Sequence, residues 1–120
     1  MSLFTFANTG REAPLTLQLS DTDYAAVLTA GNNGCTLVGL RVSEVAGSTP
    51  TLILDITDRS GAVVVQICNL RAFAAHEIWE PITLHGVPVV LLPGWQVRAK
   101  ASAGNQLHLT GVYVDPPHRT

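Results

Sequence analysis

Short apolar runs, separated by glycine, proline, asparagine and aspartate, recur along almost the whole chain, and their period is two. Trp95, Val97, Ala99 and Ala101 alternate with Gln96, Arg98 and Lys100, which gives an extended segment one apolar and one polar face. Leu52, Leu54 and Ile56 alternate with Ile53, Asp55 and Thr57 in the same way. Carried along the chain, the pattern predicts eight strands at approximately 14–19, 24–30, 35–45, 51–57, 62–70, 82–91, 95–101 and 106–115. Within 35–45 parity sends Val38, Leu40 and Val42 inward and Arg41 and Ser43 outward. Within 62–68 it sends Val63, Val65 and Ile67 to the core, with Val64, Gln66 and Cys68 opposite.

Turn chemistry falls between these runs. Asn32-Asn33-Gly34 tolerates the positive φ of a tight hairpin. Asp58-Arg59-Ser60-Gly61 predicts a type I turn closed by a glycine bulge. Pro93-Gly94 suits the centre of a type II turn, and Ala103-Gly104-Asn105 closes the last hairpin. Residues 71–80, RAFAAHEIWE, tolerate a helix and stop at Pro81, so a short helix or a structured loop is expected there. The expected architecture is an all-β antiparallel β-sandwich, jelly-roll-like, of about eight strands. Residues 1–13 are assigned to an N-terminal arm, 14–115 to the sandwich and 116–120 to a C-terminal tail, where Pro116 and Pro117 remove ladder donors.

Composition changes the picture in one respect. Only 13% of the residues are charged, about half the usual 25%. Several strands are also apolar on both faces: Val64 and Cys68 back the expected core row of 62–68, and 87–92, VPVVLL, has no polar position at all. Two-sided apolar strands need cover on both sides, and a chain with few residues outside strands has little to spare for that. Burial against further subunits is the simpler expectation, in a closed symmetric oligomer. A net charge of −2 with scattered Lys and Arg argues against a nucleic-acid partner. No apolar run reaches the roughly 18 residues of a membrane span, and the first residues lack the basic and apolar regions of a secretory signal.

Candidate chemistry is sparse. On a helix, His76 and Glu80 would share a face, but Glu80 stands where the HExxH zinc pattern needs a second histidine. His85, His108 and His118 lack the clustered HxH and following glutamate of the metal-binding cupins. No serine lies in a GxSxG elbow. Cys35 and Cys68 read as small buried hydrophobes rather than a disulfide or a metal pair. Trp79, Trp95, Tyr24 and Tyr113 could form a glycan platform, which keeps a carbohydrate-binding module as an alternative. No catalytic residue, cofactor or metal is expected.

Leu91-Leu92-Pro93-Gly94-Trp95-Gln96-Val97-Arg98-Ala99-Lys100-Ala101, a small-residue turn, and Leu107-His108-Leu109-Thr110-Gly111-Val112-Tyr113-Val114 together resemble small structural proteins of tailed bacteriophages and gene-transfer particles. The likeness covers about the last quarter of the chain. It implies a non-enzymatic virion component assembled in the host cytoplasm. The first expectation is a capsid decoration or cement protein, acting as a homo-oligomer, trimer favoured, against the major capsid protein or other virion proteins. A tail or neck accessory is the alternative within that class. The candidate interface is Phe4 and Phe6 on the arm, with Val64, Cys68, Val87, Val89, Val90, Leu91 and Leu92 on the two-sided strands.

Overall fold

The computed structural model describes residues 11–84 and 86–115. Phe4, Phe6, His85, His118 and the tail 116–120 therefore lie outside the described residues, as does most of the expected arm.

Nine strands form among the described residues: β1 Arg11–Gln18, β2 Ala25–Thr29, β3 Cys35–Glu44, β4 Thr51–Thr57, β5 Val63–Ala72, β6 Ile78–Ile82, β7 Val89–Leu91, β8 Gln96–Ala101 and β9 Leu107–Asp115. All pairings are antiparallel. One sheet has the order β1-β9-β3-β6, with β7 also on β3, and the second has the order β2-β8-β4-β5. β6 pairs with the second half of β3 and β7 with its first three residues. Counted as one interrupted strand, β6 and β7 give eight strands wound between two sheets in the double Greek key of a jelly roll.

The turns form where their residues predicted. The Gly34 N–H donates to the Gly31 carbonyl with Gly34 at φ 72°. The Asp58 carboxylate accepts from the N–H groups of Ser60 and Ala62 and from the Ser60 hydroxyl. Gly61, at φ 90°, closes that hairpin. Leu92-Pro93-Gly94-Trp95 turns on a 3.0 Å bond from the Trp95 N–H to the Leu92 carbonyl, with Gly94 at φ 81°.

Of the two expectations for 71–80, the structured loop is the one seen, over 73–77, and strands take the rest: Arg71 and Ala72 finish β5, and Ile78, Trp79 and Glu80 open β6. His76 at φ 60° breaks any helical run, and Pro81 is tolerated because β6 is an edge strand. The expected strand 82–91 is split, its centre given over to a loop containing Pro88. Finally, the inward set of β3 is Leu37, Leu40 and Val42, not Val38. Between Leu37 and Gly39 the pairing with β9 slips by one residue, so Val38 is the extra residue of a bulge and parity resets after it.

The core lies between the sheets. Leu37, Leu52, Leu54, Val42, Val97, Leu107 and Leu109 are sealed from solvent, and each buried side chain of this size contributes about 1.5–3 kcal/mol. Phe73 plugs the end crossed by the β5–β6 connection, with its ring 6.1 Å from that of Trp79 in an edge-on arrangement.

Candidate interaction surface

The sandwich has two lateral sides. On one, β1 packs beside β2. The other is bordered by β5 of one sheet and by β6 and β7 of the other, joined through residues 73–77.

β5 shows how this second side is made. Its pairing with β4 slips three times: two residues of β4 face three of β5 once, and one faces two twice. Each slip is a bulge that resets which face a side chain takes. A plain period of two therefore fails here, and Val63 and Val65, expected in the core, stand 51% and 49% exposed beside Val64 at 45%. Leu70, at φ 53° in the bulge nearest the end of β5, is exposed as well. Ile67 and Cys68 are half-buried against the core.

On β6, β7 and their connections Ile78, Leu84, Val87, Val90 and Leu92 are exposed, Val87 to 88%, with Leu84 over Gly39 and Val90 opposite Thr36 on the outer face of the first sheet. Of the eleven exposed large hydrophobic residues in the described structure, nine lie between Val63 and Leu92. Of the expected interface residues, Val64, Val87, Val90 and Leu92 are exposed, but on different faces: Val64 is on β5, whereas Val90 and Leu92 border a hollow with Thr36 and Val114 on the first sheet. Val89 and Cys68 are partly buried, and Leu91, opposite Cys35, belongs to the core. Sequence reasoning missed Leu70, Ile78 and Leu84, which stand singly among polar or turn residues. It misplaced Val63 and Val65 because bulges carry no local signal here.

A charged frame holds the end of this side. Glu44 is 2% exposed, and its carboxylate accepts from the N–H groups of Ala46, Gly47 and His76 at 2.8–3.0 Å. Burial alone pushes its pKa up; the converging backbone donors outweigh that and hold it below the usual range. Arg71 stacks between the rings of Phe73 and Trp79, at 4.6 and 4.4 Å, and bonds Glu77 at 2.8 Å. His76 and Glu80 do not share a face: His76 sits in the turn and Glu80 pairs with Arg41 at 2.9 Å. Among the described residues no three His, Cys, Asp or Glu side chains gather as metal ligands. Both cysteines are free thiols with raised pKa, Cys35 to about 11, chiefly through burial.

The four aromatic residues considered as a glycan platform are dispersed. Trp79, Trp95 and Tyr113 pack partly buried against the core. Tyr24 lies on the outer face of the second sheet under Arg98, whose guanidinium carbon is 3.9 Å from the ring centre. Arg98 in turn bonds the buried Asp55 at 2.7 Å.

The arrangement of strands has counterparts among solved structures. A chain in the acid-stable capsid structure of Helicobacter pylori bacteriophage KHP30 superposes with a TM-score of 0.53 at 10% identity, over 91% of this chain and 90% of that one. The likeness is one of fold. A chain of the cyanophage Pam1 capsid asymmetric unit matches more loosely, with a TM-score of 0.45 at 15% identity over 90% and 87% of the two chains. No protein-family model and no curated protein matches the sequence.

Proposed function

We propose that this chain is a non-enzymatic structural protein of a phage virion, a decoration or cement protein bound to the head as a homo-oligomer, in the first instance a trimer, against the major capsid protein. The observation that carries this reading is the concentration of exposed large hydrophobic residues between Val63 and Leu92, on β5 and on the outer face of the first sheet. A jelly roll that leaves so much apolar surface unpartnered is suited to being built into an assembly. The shared fold with a chain of the KHP30 capsid structure supports the same reading. On the outer face of the first sheet, Gly39, Arg41, Glu80, Leu84, Thr110 and Val112 line a shallow hollow of about 260 Å³, which suits a protruding side chain of a neighbour.

Peptide mass spectrometry on purified particles from the source culture, resolved into heads and tails, tests this. The chain is expected in heads, in a copy number on the scale of the shell. Presence in tails alone would move it to a tail or neck accessory, and absence from particles would overturn the reading.

A further inference from the structure

The turn that leads into β3 is Gly31-Asn32-Asn33-Gly34, closed by a 3.0 Å bond from the Gly34 N–H to the Gly31 carbonyl. Asn32 and Asn33 are exposed at its tip, whereas Gly34 is buried at φ 72°. A Cβ at Gly34 would stand 2.5 Å from the Leu91 carbonyl oxygen. The backbone entering β3 therefore runs against β7 with no room for an added atom. One residue on, Cys35 pairs with Leu91 at the end of the short ladder between β3 and β7.

The same turn holds a reactive pair. An asparagine amide is thermolabile, because the main-chain nitrogen of the following residue displaces its ammonia. A side chain on that following residue hinders the approach. Asn33 is followed by glycine, whereas Asn32, Asn69 and Asn105 are followed by Asn33, Leu70 and Gln106. The attack costs the Gly34 nitrogen one hydrogen bond, to the exposed Gly31.

We infer that Asn33 is a site of spontaneous deamidation and that its conversion releases β7 from β3. The Gly34 nitrogen attacks the Asn33 Cγ. A C–N bond forms, the Cγ–Nδ2 bond breaks, the Gly34 amide proton passes to water, and the side-chain nitrogen leaves as ammonia with a proton from solvent. Water then opens the cyclic imide. Opening at Cγ gives aspartate. Opening at the main-chain carbonyl gives isoaspartate, in which the chain runs through the former side chain and is one atom longer. Either product adds a negative charge to a chain of net charge −2, at the rim of the hollow lined by Thr36, Val90, Leu92 and Val114. The longer backbone has no slack to enter, because Gly34 already abuts Leu91. The Cys35–Leu91 end of the ladder separates first, and among the described residues β7 pairs with no strand but β3.

The test holds the purified protein at alkaline pH and follows each asparagine by peptide mass spectrometry. Hydrogen exchange is then measured on the isoaspartate form, separated by chromatography. Asn33 is expected to lose its amide before Asn32, Asn69 and Asn105 do. In the isoaspartate form the Val89–Leu91 segment is expected to lose its protection, with β8 and β9 keeping theirs. Asn33→Gln, whose longer side chain closes the ring poorly, is expected to keep β7 protected over the same time. Asn33→Asp, which carries the charge without the extra backbone atom, is expected to keep it protected as well. An Asn33 amide that persists, or that is lost no sooner than the others, overturns the site. An isoaspartate form whose Val89–Leu91 segment stays protected overturns the release of β7, and so does an Asn33→Asp variant that has lost that protection from the start.

Discussion

The two lateral sides of the sandwich end in edge strands of the same two sheets, yet they are finished in opposite ways. Along β1 the exposed residues are Glu12, Pro14, Thr16 and Gln18. A proline without a donor, a charge and two polar side chains make a sheet edge that stays alone in water. Along β5 the corresponding positions are Val63, Val64, Val65 and Leu70. Here the bulges discourage strand addition while the side chains invite apolar contact. One edge repels every neighbour, and the other excludes only a continuing sheet. That division sets a polar edge, suited to solvent, against an apolar one.

Both sides rest on the same core, and the largest expected effect comes from weakening it. Leu109 on β9 is sealed between the sheets, so Leu109→Ala should cost about 2–5 kcal/mol. Chemical denaturation is the measure, and the loss should appear as a lower midpoint. A sharper test transfers the character of one side to the other. Thr16→Leu with Gln18→Leu gives the β1 edge an apolar pair and should produce added concentration-dependent association, read by light scattering beside the wild-type protein. If that edge stays silent, apolarity alone does not distinguish the two sides.

The Glu44 clamp gives the apolar side a pH dependence. Its folded pKa lies below the ordinary value, so the clamp contributes stability above the unfolded carboxylate range and loses it as pH falls through the folded value. Glu44→Gln should lower the melting temperature at pH 7, and the gap to wild type should narrow below about pH 4. The smallest effect concerns the turn that launches the valine row. Gly61 sits at φ 90°, and Gly61→Ala should cost about 1 kcal/mol through backbone strain, read as a small shift in the denaturation midpoint.

Much of this architecture was legible in the residues themselves. Alternation in 51–57 and 95–101 located two central strands, and the Asn33-Gly34, Asp58-Arg59-Ser60-Gly61 and Pro93-Gly94 signals placed turns, each with its glycine at positive φ. The shortage of charge foretold an exposed apolar surface, and Val64, Val87, Val90 and Leu92 were found from it. What failed was parity at bulges. Val38 in β3 and the valines of β5 were assigned by counting in twos, and a slipped register depends on the partner strand rather than on neighbours in sequence. Glu44 was equally hidden, since one of its donors, the His76 N–H, lies 32 residues away.

The central proposal is that the exposed apolar residues of β5 and of the β6–β7 segment are covered in the virion while the β1 edge is not. Hydroxyl-radical footprinting of the protein in purified particles against the free protein measures this directly. The account predicts strong protection of Val63–Val65 and Val87–Leu92 in the assembly, with Pro14–Gln18 labelled equally in both. Equal labelling of the valine rows, with protection moved to β1, would contradict it.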